Sequence, residues 1–254
     1  MRWLLFLLGL AASLHLPAQL TEADTARLGG RVGLTGSWLS GNVNRLLVVL
    51  SADMVVQREG WAFRSAQTWQ QGSFGGYPTE RDLFARQFFY LRPHARLYPY
   101  AMVWAETNLR RNLDFRVQGG VGASAVLLHA ERIHLKASAT LSAESARFGS
   151  VSFSDTTYDG SRSIHVLRGT GRVFGRIQPL KDSRCVLRFE GWIQPALTQV
   201  SNYRLHADAA LDWPLRRRVA LRAAFNYNRE SVVAVGVLPA DSFLTFGFVI
   251  GSLN

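Results

Sequence analysis

The stretch from Asn202 to Asn228 reads NYRLHADAALDWPLRRRVALRAAFNYN. Every second residue from Tyr203 to Trp213 is apolar or small, and this alternation resumes from Val219 to Tyr227 after the segment Pro214–Arg218. Successive side chains of a β-strand point to opposite faces of a sheet. The stretch therefore predicts a hairpin with one apolar face and one polar face, joined by a turn at Pro214–Arg218.

The same alternation recurs along the chain and predicts twelve strands, although their spacing alone would also allow ten or fourteen. Each predicted strand has one apolar face. In the strand before the opening hairpin, the residues assigned to that face are Cys185, Leu187, Phe189 and Ile193. No helical period competes with the alternation over a comparable length, so we expect an all-β fold.

Odd and even positions of a strand point to opposite faces, and we call the face to which a position belongs its parity. Because the apolar residues keep one parity within each predicted strand, the pattern favours an antiparallel up-and-down β-barrel of the outer-membrane type, with lipid outside and a polar lumen inside. A Lys or Arg that faces lipid at the midplane costs about 2–4 kcal/mol, which makes the reversed parity unfavourable. The predicted connections also alternate between short ones and longer ones such as Gln71–Glu80. A soluble ligand-binding barrel, with apolar residues inside, is the alternative architecture.

The N-terminus has the form of a secretory signal peptide. Arg2 is followed by an apolar segment from Trp3 to Leu16 and by a cleavage zone at Pro17–Gln19. We expect a signal peptide at 1–19, a short periplasmic segment at 20–27 and the barrel at 28–254. The expected location is therefore the cell outer membrane.

Composition excludes several classes of protein. The hydrophobic fraction is 48%, but no internal run is long enough for a membrane-spanning helix. The net charge of +11 would suit a nucleic-acid binder, yet the arginines are dispersed, and Arg216–Arg218 is the only run of three basic residues. A single cysteine, Cys185, forms no disulfide framework and no cysteine-based zinc site. We expect no cofactor, no metal and no nucleic-acid partner.

Catalytic signals are weak. The glycine-rich segments Gly119–Gly122 and Gly169–Gly171 do not match a phosphate-binding loop. His165 has outward parity, as a barrel phospholipase would need, but Ser163 lies near the end of its strand. An omptin-like protease would have to use Asp155, Asp159 and His165, since these are the only candidates. We predict that the chain is not an enzyme, with an outer-membrane hydrolase as a distant alternative.

Charged residues of inward parity are the most informative feature for function. The basic members outnumber the acidic ones, and the candidates for the lumen lining are Arg168, Arg172, Arg188, Glu190, Arg204, Asp208, Arg222, Glu106 and Lys136, with Arg31, Asp53, Arg64, Arg86, Arg116 and Glu144 of the same parity. Cross-strand ion pairs could fill a narrow lumen. An open lumen with excess cations would instead favour anions.

Five of these arginines are expected to share one wall, because they lie on four consecutive strands: Arg168, Arg172, Arg188, Arg204 and Arg222. Glu190 and Asp208 lie among them and would offset part of their charge. If the lumen is filled, these two acids are the expected partners of Arg188 and Arg204. The inward residues Trp104 and Tyr90 add bulk and favour a filled lumen.

The N-terminal half resembles the YdiY-like salt-induced outer-membrane protein family, whose function is unknown. The resemblance is carried by the hairpin Gly33–Asn44, the basic turn Arg58–Trp61 and the strand segment Trp104–Glu106, and it covers Leu28 to Phe148. It implies an outer-membrane barrel and transfers no catalytic residue. The chain ends Gly251-Ser252-Leu253-Asn254 rather than on an aromatic residue, which departs from the usual ending of such barrels.

These observations predict a narrow channel for small anionic solutes. A structural or envelope-stress barrel with a plugged lumen is the alternative. The expected partners are outer-membrane lipid and lipopolysaccharide, the barrel-assembly machinery and small anionic solutes.

Overall fold

The computed structural model describes residues 28–41, 44–179, 185–216 and 219–251. The predicted signal peptide and the segment at 20–27 lie outside these residues. The described strands are β1 Leu28–Leu39, β2 Arg45–Gln57, β3 Trp61–Phe74, β4 Tyr77–Leu91, β5 Leu97–Asn108, β6 Leu113–His129, β7 Ile133–Phe148, β8 Ser163–Ile177, β9 Val186–Pro195, β10 Tyr203–Arg216, β11 Val219–Glu230 and β12 Ala240–Gly251.

The strands form a closed antiparallel barrel in which each strand pairs with its neighbours in sequence. Closure comes from β1 and β12, where Leu34 lies opposite Phe248. Because each of the twelve described strands has two partners, the sheet that they form has no unpaired edge. The predicted up-and-down barrel of twelve strands is confirmed.

Alternation along the strands separates an apolar exterior from a polar interior. Val121 and Leu141 are paired on β6 and β7 and are exposed on the outside, whereas Ser142 beside them is buried inside. A soluble ligand-binding barrel would show the reverse arrangement. Large exposed apolar side chains on the outside are instead typical of a lipid-facing surface.

One outward assignment is wrong. Cys185 is only 2% exposed, and it lies in the connection before β9 rather than in the strand. Parity fixes the direction of a side chain only while the backbone is extended, so it does not hold where the chain turns. Burial, with a smaller contribution from the charge of Asp212, raises the pKa of the Cys185 thiol.

The two ends of the barrel differ in their connections. We call the end with connections 58–60, 92–96, 130–132, 178–185 and 217–218 the turn end, and the opposite end the loop end. The loop-end connections are 40–44, 75–76, 109–112, 149–162, 196–202 and 231–239. By these bounds, the connections longer than five residues all lie between strands from β7 to β12; three are at the loop end and one, 178–185, is at the turn end.

Two predicted connections are wrong in their bounds. The segment Gln71–Glu80 is a tight hairpin at Gly75 and Gly76, whose φ angles are 57° and 85°. Glycine adopts this left-handed conformation without steric cost, as a tight β-hairpin requires. At the other site, β10 continues through Pro214 to Arg216, with a register shift between these two residues. Proline is tolerated at such a bulge because the ladder hydrogen bond is already interrupted there.

The longer loops bind one another above the β7–β12 half, and we call segments 149–162, 196–202 and 231–239 the loop cap. The backbone N–H of Ser154 donates to the carbonyl of Val233 at 2.8 Å. The side chain of Gln199 donates to Asp155 at 2.8 Å, and Phe153 is buried between the loops. The cap is therefore held by both backbone and side-chain bonds.

Within residues 28–41, 44–179, 185–216 and 219–251, the helical structure is the short 3₁₀ element η1 at Thr156–Tyr158. Across the part of the chain that the structure describes, no helix has the length and apolar character of a membrane span.

Candidate functional site: the barrel lumen

A cavity of about 370 Å³ lies inside the barrel. Asp82 and Arg110 border it near the loop end, and Arg31 and Arg222 border it near the turn end. The cavity therefore extends along much of the barrel axis.

The nine residues predicted to line the lumen have different positions in it. Eight border the cavity: Glu106, Lys136, Arg172, Arg188, Glu190, Arg204, Asp208 and Arg222. Arg168 does not. Its guanidinium binds both carboxylate oxygens of Glu144 at 3.0 Å and donates to the carbonyls of Gln194 and Asn202 at 3.2 and 3.3 Å.

The five arginines expected on one wall are divided among three levels of the lumen. Arg168 and Arg204 lie near the loop end, where both bind Glu144. Arg172 lies at mid-height, where it donates to Glu190 at 2.8 Å. Arg188 and Arg222 lie near the turn end and both bind Asp212. The register and tilt of the strands therefore break up the ladder that parity suggested.

A continuous chain of ion pairs occupies the loop end, and we call it the loop-end network. Its members are Arg45, Arg110, Arg111, Arg116, Arg168, Arg204, Glu80, Asp82, Glu106, Glu144, Glu230 and Asp241. Some of its pairs cross the lumen, as between Arg116 on β6 and Glu230 on β11 at 2.7 Å. Within these described residues, every arginine is matched by one carboxylate.

The charges near the turn end are not balanced, and we call this group the turn-end network. Asp53 and Asp212 are its two acids, and Arg31, Arg64, Arg188 and Arg222 are its four arginines. Arg31 lies 2.5 Å from Asp53 and Arg222 lies 2.6 Å from Asp212, and Arg188 also contacts Asp212. Among the described groups at this level, positive charge is therefore in excess.

The middle of the lumen adds to this excess. Glu190 is bound from two sides, by Arg86 of β4 and by Arg172 of β8. Lys136 donates to the hydroxyl of Tyr98 at 2.9 Å. Asp208, which is the most exposed of the predicted lumen acids, lies 3.5 Å from the Nε2 atom of His206. The expected pairing of Glu190 and Asp208 with Arg188 and Arg204 is therefore absent from the described contacts.

An aromatic cluster fills the lumen beside β4 and β5. Its members are Phe88, Tyr90, Tyr98, Tyr100, Met102, Trp104 and Trp192, with Ala62. Both inward aromatics noted in the sequence, Trp104 and Tyr90, are buried in it. The lumen is thus partly filled, and the cavity lies alongside the filled part.

Parity reasoning missed several charged residues of the lumen. Asp212 has the same parity as Arg204 and Asp208, so its inward position was visible in the pattern. Arg110 and Arg111 lie in the connection 109–112, where parity gives no direction. Glu230 and Asp241 lie at the ends of β11 and β12, beside the connection 231–239, where the alternation of side chains stops. These residues were therefore accessible to sequence reasoning only in part.

The residues considered for catalysis lie apart or make structural contacts. His165 and Ser163 are exposed on β8. Asp155 caps η1 through the N–H of Thr157 at 3.0 Å, and Asp159 accepts from the N–H of Phe153 at 2.7 Å. Two other histidines lie in the lumen: His134 contacts Arg176, and His206 bonds to Asn228 at 2.6 Å. Across the described ranges, no group of His, Cys, Asp and Glu side chains is arranged to hold a metal ion.

A family model described as "Protein of unknown function, DUF481" matches residues 32–251. No curated protein matches the sequence. Among solved structures, the NanC porin has a TM-score of 0.50 and 10% identity, with 88% of this chain and 98% of that chain covered. An identity this low shows a shared fold and no more.

Two further solved structures match with lower TM-scores. An outer membrane channel from Pseudomonas putida F1 has 13% identity and a TM-score of 0.47, covering 88% of this chain and 94% of that one. The translocator domain of the autotransporter NalP from Neisseria meningitidis has 12% identity and a TM-score of 0.42, covering 88% and 86%.

Proposed function

Since the chain belongs to the DUF481 family of proteins of unknown function, we propose a function from its own lumen: an outer-membrane barrel that forms a narrow channel for small anionic solutes. Transport, rather than catalysis, is the role that the lumen supports best.

The unbalanced turn-end network is the observation that carries this proposal. Four guanidiniums face two carboxylates there, and Arg31, Arg64, Arg188 and Arg222 all border the cavity. In a confined lumen with low-dielectric walls, such charges act on an ion more strongly than they would in bulk water. Rings of Arg and Lys side chains are typical of pores that select anions.

The proposed location is the outer membrane. The exposed apolar exterior supports contact with membrane lipid and lipopolysaccharide. Barrels of this type have short periplasmic turns and longer outer loops, so the turn end would face the periplasm and the loop cap the outside. Export through a signal peptide at 1–19 and insertion by the barrel-assembly machinery belong to the same proposal.

Current across a planar bilayer tests the proposed channel. With the purified barrel in a KCl gradient, the reversal potential should show preference for chloride over potassium. Arg222→Gln should reduce that preference several-fold, because it removes one of the excess positive charges while Asp212 remains paired with Arg188. Cation preference, or an Arg222→Gln variant that selects as strongly as the wild type, would overturn the proposal.

A structural barrel with a closed lumen is the second candidate. It is favoured by the loop-end network, whose ion pairs cross the lumen, and by the aromatic cluster. The resemblance to the YdiY-like salt-induced family agrees with such a role in envelope stress. A correctly folded barrel that carries no current under any tested voltage would favour this candidate over the channel.

A further inference from the structure

Two indole N–H groups in the middle of the lumen have no hydrogen-bond acceptor among the described residues. They belong to Trp104, which is 5% exposed, and Trp192, which is 9% exposed. Both residues border the cavity. Buried polar groups almost always have a hydrogen-bond partner, so two such donors beside one cavity need an explanation.

The rings of these residues form an aromatic wall that continues from β4 to β10. The ring centroids of Trp104 and Trp192 are 5.3 Å apart. Phe84 meets Trp104 edge-on at 5.7 Å, and His206 stacks on Trp192 at 5.2 Å with an interplanar angle of 19°. These four residues, Phe84, Trp104, Trp192 and His206, all border the cavity, and we call them the ring wall.

Cationic groups lie next to the ring wall. The guanidinium carbon of Arg86 is 5.9 Å from the Trp104 ring, and that of Arg204 is 5.9 Å from the Trp192 ring. The Nε atom of each is buried and donates to no described acceptor, although the terminal nitrogens bind carboxylates. An anion beside the ring wall would therefore meet positive charge and unused N–H donors together.

Uncharged polar side chains provide another part of the cavity lining. They are contributed by β1–β3, β11 and β12 and include Thr35, Ser51, Thr68, Gln70, Asn226, Asn228 and Thr245. Hydroxyl and amide groups both donate and accept hydrogen bonds. This surface suits a ligand that carries hydroxyl groups.

We propose that the lumen contains a binding site for a cyclic carboxylate, a small acid with a hydroxyl-bearing ring. Its ring lies against the ring wall, its oxygens accept from the indole N–H groups, and its carboxylate faces Arg86. An inorganic anion would use the arginines and the indole donors but would leave the ring faces without a function. The cavity volume of about 370 Å³ lies within the range of about 300–1,000 Å³ that is typical of small-molecule sites. This inference deepens the proposed channel function, because the site lies on the proposed pathway.

Two sugar acids of equal charge test the site. D-glucuronate forms a ring in solution, whereas D-gluconate is an open chain with the same carboxylate and similar hydroxyl groups. Each is titrated calorimetrically into the full barrel in detergent. We expect glucuronate to bind at least about ten-fold more tightly than gluconate. Equal affinities, or no binding of glucuronate, would overturn the site.

Substitutions that retain an aromatic ring test the indole donors. Trp192→Phe removes one N–H, and we expect glucuronate binding to weaken several-fold. Trp104→Phe is the second variant, in case Trp192→Phe fails to assemble. The control is Trp38→Phe, on the outer face and 80% exposed, which should bind as the wild type does. If both folded lumen variants bind glucuronate like Trp38→Phe, the ring wall is not the site.

Bilayer currents separate this inference from the proposed channel. Chloride preference without any ring preference would keep the channel and overturn the site. Binding that prefers glucuronate without any current would keep the site and overturn the channel. The binding measurement does not need conduction, so each claim has its own outcome.

Discussion

The loop end and the turn end of the lumen contain the same types of residue but differ in charge balance. In the loop-end network each arginine has a carboxylate to match it, and Glu144 alone contacts Arg116, Arg168 and Arg204. In the turn-end network, Asp53 and Asp212 are the two carboxylates, among the described residues, that pair with its four arginines. A balanced network cross-links the barrel wall, whereas an unbalanced one leaves a field in the cavity. The inward direction of a charge therefore does not by itself indicate transport.

The largest expected effect is the loss of stability when the centre of the loop-end network is removed. Glu144→Gln leaves three arginines without their shared carboxylate, and Arg168 loses both of its charged contacts at 3.0 Å. Removing one partner of a buried ion pair costs about 3–5 kcal/mol. We expect a matching decrease in the free energy of unfolding, measured by urea titration in lipid vesicles.

The control for Glu144→Gln is Glu59→Gln, because Glu59 is exposed in the connection 58–60. That change should stay within about 0.5 kcal/mol. If both variants unfold at the same urea concentration, the loop-end network does not stabilise the barrel, and the contrast between the two ends is lost.

Two arginine variants, one from each end, give a smaller effect that separates stability from selectivity. Arg168→Gln removes charged hydrogen bonds away from the cavity, so it should lower the free energy of unfolding by about 1.5–3 kcal/mol and leave ion selectivity unchanged. Arg188→Gln should lower the preference for chloride and should affect stability less than Arg168→Gln does, because Asp212 remains paired with Arg222 at 2.6 Å.

Unfolding curves and reversal potentials are measured on both arginine variants. A loss of chloride preference in Arg168→Gln, with none in Arg188→Gln, would reverse the roles assigned to the two ends. Replacing Arg188 and Arg204 together would separate stability from selectivity less well than these two single variants. The two residues belong to different networks, and both border the cavity.

The smallest effect is expected at the exposed margin of the loop-end network. The side chain of Arg45 is 37% exposed, although it pairs with the buried Glu80 at 2.6 Å. Solvent weakens the contribution of an exposed arginine, and Arg110 at 3.9 Å remains beside Glu80 when Arg45 is replaced. Arg45→Gln should therefore change the urea midpoint far less than Glu144→Gln does. A loss as large as that of Glu144→Gln would mean that burial does not distinguish the members of this network.

Sequence and structure agree where the backbone is extended and diverge where it turns. The alternation from Tyr203 to Trp213 was sufficient to predict β10, and its repetition predicted a barrel of about twelve strands, although ten or fourteen also fitted the spacing. The same rule failed at Cys185, at the Gly75–Gly76 hairpin and at Pro214, because the chain there is turning or bulged.

By itself, the sequence determined which side chains face outward and which face inward, and hence the fold class. The reason is that direction alternates residue by residue, and lipid penalises an outward charge, so the signal is local and repeated. Only the tertiary structure decided that Arg168 lies off the cavity and that Asp212, rather than Asp208, serves Arg188. Which residues meet across the lumen depends on the combined register and tilt of many strands, and no local sequence pattern encodes this.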